Sequence, residues 1–173
     1  MKNRIAIVGR TNVGKSLLFN KLTRARKSLV INYHGVTRDT NIGSLVLNDR
    51  SIYIEDTGGI PEKNDQFSNQ ILEKASKSIL KADVILFVVS AADGLTVQDH
   101  EICKMLRKLN REIILLINKT DLSKKSQPIS DFYKLGIHDV LLISAKNNNG
   151  LSELKDRLSS ILVGDKAMSR DIF

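Results

Sequence analysis

The stretch Gly9-Arg10-Thr11-Asn12-Val13-Gly14-Lys15-Ser16 constrains this chain more than any other. Two glycines with four residues between them, followed by Lys-Ser, fit a loop whose backbone N–H groups cradle two phosphates. The flanks agree with the loop. Arg4-Ile5-Ala6-Ile7-Val8 predicts a strand, and Leu17, Leu18 and Leu22 supply the apolar spacing of a helix. Strand, glycine-rich loop and helix in that order place an anion at a helix N-terminus, where free amides and the helix dipole favour negative charge. Lys15 can then reach the outer phosphates, and the Ser16 hydroxyl can ligate Mg²⁺.

The rest of the chain alternates strands and helices. Ile42–Leu47 and Ser51–Glu55, joined by Asn48-Asp49-Arg50, predict a hairpin and hence one antiparallel edge on a parallel sheet. Val84–Val89 and Ile113–Ile117 are unbroken apolar runs, as expected of strands covered on both faces, and Val140–Ile143 predicts the last strand. Phe67, Ile71, Ala75 and Ile79 place a helix ending near Lys81. A second carries Ile102, Met105, Leu106 and Leu109, a short one spans Ile129–Leu135 with Gly136 as its stop, and the last carries Leu151, Leu154, Leu158, Ile161 and Leu162. The expected architecture is α/β: a doubly wound three-layer domain with a six-stranded, mostly parallel sheet and about five flanking helices. Residues 1–163 form that domain, with 164–173 as a tail or the start of a linker.

Composition narrows the class. A hydrophobic fraction of 42% and two prolines suit one folded domain. The single cysteine, Cys103, supports neither a disulfide framework nor a metal cluster, which makes a reducing cytoplasm the default. No basic-then-apolar leader precedes Arg4, and the apolar runs are too short for a bilayer. A net charge of +8 could steer the chain to an anionic partner such as RNA. The plainer reading is a general lysine bias, because the two densest clusters, Lys21-Arg24-Arg26-Lys27 and Lys104-Arg107-Lys108-Arg111, lie on or just after helices, where solvated charge needs no ligand. His34, His100 and His138 are scattered and make no metal triad.

Two further motifs follow predicted strands. Asp56-Thr57-Gly58-Gly59 places a carboxylate where it can hold Mg²⁺ through a water, and Gly59 leaves its amide free to approach a γ-phosphate. In Asn118-Lys119-Thr120-Asp121, the ionised Asp121 accepts from the two N–H donors on one edge of guanine, a pair that adenine lacks. The Lys119 stem can cover the base, and Asn118 can tie this loop to the phosphate loop. Ser144-Ala145-Lys146 can offer the Ala145 amide to the guanine carbonyl.

With these motifs together, the chain over residues 2–162 resembles the translation-factor-related P-loop GTPases, and within them the first domain of the double-GTPase ribosome assembly factors. The resemblance is carried by residues 9–16, Gly-Val-Thr-Arg-Asp at 35–39, Asp-Thr-Gly-Gly-Ile at 56–60, Ala-Asp-Gly-Leu-Thr at 92–96, Asn-Lys-Thr-Asp at 118–121 and Ser-Ala-Lys at 144–146. It implies GTP or GDP as ligand, bound by Gly9 through Leu17 together with Asp56, Gly59, Asn118, Lys119, Asp121, Ser144, Ala145 and Lys146. It implies Lys15, Asn12, Thr37 and Gly59 as the residues acting on the γ-phosphate, and Ser16, Thr37 and Asp56 around Mg²⁺. The loops 32–41 and 58–66 become switches. Ile60 stands where small signalling GTPases carry a water-orienting glutamine, and the resemblance offers a substitute: K⁺ held partly by Asn12. It further implies a large-subunit ribosomal or rRNA partner through a longer protein, and a monomeric isolated domain. The chain departs from the family pattern at Ser90, usually aspartate, and after Lys146. An ATP-dependent enzyme shares the phosphate loop but leaves 118–121 unexplained. A GTP-dependent module that contacts RNA or the ribosome with little hydrolysis of its own is the other reading.

Overall fold

The computed structural model describes residues 3–24, 41–60, 77–122 and 128–164. Six strands form one sheet: β1 (Arg4–Val8), β2 (Asn41–Leu47), β3 (Arg50–Asp56), β4 (Val84–Ser90), β5 (Glu112–Asn118) and β6 (Val140–Leu142), in the order β2-β3-β1-β4-β5-β6. All neighbours pair parallel except β2 with β3. Asn48 and Asp49 take positive φ (47° and 63°) at the tip of that hairpin, the left-handed pair a tight two-residue turn demands. The helices are α1 (Lys15–Thr23), α2 (Val97–Arg107) and α3 (Leu151–Leu162). Residues 77–81 are also helical, and Ile129–Leu135 forms a 3-10 segment stopped by Gly136 at φ 66°.

Strand alternation sorts the core into two layers. Ile5, Ile7, Leu86, Val88, Ile114 and Leu116 pack on one face with Leu18, Phe19 and Leu22 of α1 and Leu154, Leu158 and Leu162 of α3. Ala6, Val8, Ile85, Phe87, Leu115 and Ile117 pack on the other with Ile79, with Ile102, Cys103 and Leu106 of α2, and with Phe132 and Leu135. All seven residues of β4 are buried, which explains why its sequence does not alternate. Each large side chain so buried contributes about 1.5–3 kcal/mol.

The three-layer expectation and the strand count are met. Details differ at the ends. Leu109 lies two residues beyond α2 and Ile143 just beyond β6, though both stay packed in or against the core. Leu17 is 42% exposed, because it sits on the first turn of α1 beside the loop rather than on its core stripe. Asn41, expected to end a loop, instead begins β2; Phe67, Ile71 and Ala75, residues 32–40 of the expected loop with Thr37, residues 61–66 and the tail after Gly164 lie outside the described residues. No helix among the described residues is long and apolar enough to cross a membrane.

β1 lies between β3 on one side and β4 on the other, with β2 and β3 built outward on the first side and β4 to β6 on the second. Strand order therefore reverses at β1, and the glycine loop hangs from its carboxyl end. Crevices at such points are where open α/β sheets bind ligands.

Candidate nucleotide-binding site

The phosphate loop needs two left-handed residues, Asn12 at φ 64° and Gly14 at φ 100°. At Gly14 there is also no room for a side chain: a Cβ would come within 2.4 Å of Asn118 Nδ2. Lys15 is 5% exposed, and its ammonium donates to the Arg10 carbonyl at 2.6 Å. Burial lowers its pKa from 10.5 to about 8; the nearby Asp56 carboxylate opposes that shift and the Arg10 guanidinium adds to it.

Beneath the lysine lies a hydroxyl–carboxylate pair. Ser16 Oγ donates to Asp56 Oδ2 at 2.9 Å, and the Gly58 amide donates to Asp56 Oδ1 at 3.1 Å. Thr57 anchors the turn by donating to the Ile7 carbonyl at 2.8 Å. Gly59 passes so close to the phosphate loop that a Cβ would lie 2.3 Å from Thr11 Cγ2. The Ile60 amide then donates to the Gly9 carbonyl at 3.1 Å. Two oxygen ligands facing a phosphate loop suit Mg²⁺, which takes one or two protein oxygens and keeps substrate phosphates and waters for the rest. Among the described residues no group of three or more His, Cys, Asp or Glu side chains could hold a metal by itself, so the phosphates would have to complete the shell.

The base-side loops are fastened to the phosphate loop. Asn118, 2% exposed, donates from Nδ2 to the Val13 carbonyl at 2.9 Å and accepts at Oδ1 from the Ala145 amide at 3.0 Å. Lys119, at φ 62°, lays its side chain toward the same loop and donates to the Asn12 carbonyl at 2.6 Å. Thr120 Oγ1 donates to the Ile143 carbonyl, and Ser144 Oγ donates to Asp121 Oδ1 at 2.7 Å. Lys15, Asp56 and Asp121 thus belong to loops that meet at one edge of the sheet. The exposed Lys146 belongs to the 144–149 loop, whose ends pair Ser144 with Asn149.

One candidate turns the other way. The Arg10 guanidinium pairs with Asp93 at 2.9 Å and with the fully buried Asp99 at 3.4 Å, so only its backbone is offered to a phosphate. Sequence reasoning missed Gln98 and Asp99. The Thr96-x-x-Asp99 spacing signals the capping box that starts α2, with Thr96 Oγ1 accepting from the Asp99 amide, but nothing in it reveals Arg10 as the partner.

A three-layer sheet with a phosphate loop at its reversal point, a carboxylate turn beside it and an Asn-Lys-Thr-Asp loop at the base end defines a P-loop GTPase domain. Residues 4–119 match the family described as 50S ribosome-binding GTPase, and the chain belongs to that family. GTPase Der of Geotalea uraniireducens is 42% identical over 172 residues, covering 99% of this chain and 39% of the relative. The chain therefore spans about two fifths of that relative's length. Among solved structures, an Era variant from Aquifex aeolicus bound to GDP and AlF4⁻ superposes with a TM-score of 0.73 at 34% identity, covering 94% of this chain and 57% of that one. Era in complex with MgGDPNP and a 16S ribosomal RNA segment gives a TM-score of 0.75 at 32% identity, covering all of this chain and 60% of that one.

Proposed function

We propose that this chain is a GTP-hydrolysing switch, the first GTPase domain of a longer Der-like protein acting in assembly of the large ribosomal subunit. The observation that supports it best is the double hydrogen bond of Asn118, which joins the guanine-side loops to the phosphate loop. One purine nucleotide spanning Lys15, Asp56 and Asp121 explains why those loops meet. Asp121 would accept from the guanine edge, Lys119 would cover the base, and Lys15 would leave the Arg10 carbonyl for the β- and γ-phosphates. Mg²⁺, held by Ser16 and Thr37 and by Asp56 through a water, would neutralise charge across those phosphates. The reaction is in-line attack of water on the γ-phosphate, with rate coming from positioning and electrostatics.

Ile60 argues for a slow unaided domain. Its side chain is 5% exposed, its amide is bound to Gly9 and its carbonyl accepts from Gln98, which leaves no group to orient a water. K⁺ beside Asn12 would supply the missing positive charge, in the place where an arginine finger contributes about 10³–10⁵ in rate. The same observation favours the second reading, an interaction module with little hydrolysis of its own. Multiple-turnover hydrolysis of GTP in K⁺ and in Na⁺, with ATP as control, separates them. GTP-selective turnover faster in K⁺ is expected. Equal, negligible turnover in both salts favours the second reading, and equal use of ATP overturns both.

A further inference from the structure

Arg10 is the second residue of the phosphate loop, yet its side chain contributes nothing to the nucleotide face. It is 14% exposed; Nη2 meets Asp93 Oδ2, in the turn after β4, at 2.9 Å, and Nε faces Asp99 Oδ1, on the first turn of α2, at 3.4 Å. Asp99 is wholly buried. Its other oxygen is committed to the cap, accepting from the Thr96 amide at 3.0 Å and the Thr96 hydroxyl at 2.9 Å. Oδ1 and Arg10 Nε are left facing each other with no hydrogen bond to another group. A charge in that position is tolerable only with its counter-charge, so Asp99 holds Arg10 and Arg10 holds Asp99.

The neighbouring residue extends the connection. Gln98 Nε2 donates to the Ile60 carbonyl at 2.7 Å, Ile60 donates to the Gly9 carbonyl at 3.1 Å, and Arg10 and Ile60 form an isolated parallel bridge. The first turn of α2 therefore grips both loops that face the phosphates: the phosphate loop by a buried ion pair, the Gly58-Gly59 loop by an amide. The Arg10 carbonyl is also the acceptor for the Lys15 ammonium. Where Arg10 sits decides where Lys15 rests.

We propose that Asp99, through Arg10 and assisted by Gln98, is a positioning residue that sets the phosphate loop and the Gly58-Gly59 loop in register for attack on the γ-phosphate. The proposal rests on the GTPase reading above. A loosened latch leaves the phosphate loop able to wrap a diphosphate but lets the Gly59 amide drift from the γ-phosphate. The loss then falls on turnover and not on GDP affinity.

The test compares Asp99→Asn, Arg10→Ala, the double variant, Arg10→Lys and Gln98→Ala with the unaltered chain. The readouts are kcat and KM for GTP and Kd for GDP. Ile102→Val serves as control, since it weakens α2 packing without touching Arg10. The single latch variants are expected to lose about tenfold in kcat, with GDP affinity held within about threefold. The double variant should be no slower than the slower single, as for two groups in one interaction. Arg10→Lys should recover part of the loss by restoring the charge. Should Asp99→Asn fail to fold, Gln98→Ala and Arg10→Lys still carry the test, because neither leaves a buried charge unpaired. Unchanged kcat in the variants, losses that add in the double, or an equal loss in Ile102→Val would overturn the latch while leaving the GTPase reading intact. An unaltered chain that binds no GTP or turns none over would overturn both.

Discussion

On the proposed reading, Asp121 and Lys15 are the side chains on which guanine specificity and phosphate binding would depend. Asp121 is steadied by the Ser144 hydroxyl at 2.7 Å, so its carboxylate is presented at a defined angle. Asp121→Asn replaces an acceptor-only group with one that offers a donor to the guanine edge. GTP affinity is expected to fall by about 10²-fold or more, with the melting temperature little changed; equal affinity in a nucleotide titration would remove Asp121 from base recognition. Lys15 gives a pH dependence. Its pKa of about 8, down from 10.5, means that burying the ammonium costs stability in full below pH 8 and that the cost is relieved as pH rises toward 10.5. Phosphates bound at Lys15 would restore its charged form, so binding at a pH where the amine is neutral should take up a proton. Affinity for GDP should be flat below about pH 7 and fall about fourfold by pH 8.5, following a pKa near 8. Calorimetry in two buffers of different ionisation enthalpy would detect the proton, and no uptake at pH 8.5 would contradict the assignment.

The elements carry the site because each loop is fastened at both ends. The start of α2 is the clearest case. Thr96 and Asp99 exchange hydrogen bonds in a capping box, satisfying amides that the first turn otherwise leaves bare. Thr96→Ala should cost about 1 kcal/mol. In a domain of this size that is a fall of roughly 2–4 °C in melting temperature, read by circular dichroism. An unchanged melt would mean the cap is not needed. Most of this level was legible in the sequence. The apolar run in Arg4–Val8 placed β1, the helical spacing of Leu151, Leu154, Leu158, Ile161 and Leu162 placed α3, Asn48-Asp49 marked the hairpin, and Gly136 marked the end of the 3-10 segment. The nucleotide loops were legible because phosphate and guanine chemistry restricts residue type at fixed spacing. What was not legible was long-range pairing. Arg10 lies 83 residues from Asp93, and Gln98 lies 38 from Ile60, so no local pattern records either contact. The exposure of Leu17 was hidden for another reason: three leucines at helical spacing look alike until the sheet says which face is inside.

At the scale of the whole domain, the site joins two parts of the sheet that meet at β1. The phosphate loop and the Asp56 turn follow β1 and β3, whereas Asn118, Asp121 and Ala145 follow β5 and β6. The two groups of loops are linked across the crevice by Asn118, bonded to Val13 and Ala145, and by Lys119, bonded to Asn12. On the proposed reading, a bound nucleotide would add a third link, from the guanine edge at Asp121 to the phosphates at Lys15. Binding should therefore stabilise the domain as a unit: GDP at about 100 times its Kd adds roughly 2.7 kcal/mol by mass action. ATP at the same concentration should add almost nothing. Asn118→Ala separates the contributions of the links. It strands the Val13 carbonyl and the Ala145 amide, so the empty domain should lose about 1–3 kcal/mol. The nucleotide must then align the loops by itself, so GDP affinity should fall as well, and the stabilisation at a fixed GDP concentration should shrink relative to the unaltered chain. Paired denaturation curves with and without GDP measure both quantities. A variant that melts earlier yet gains as much from GDP as the parent would show that Asn118 supports the fold without organising the site.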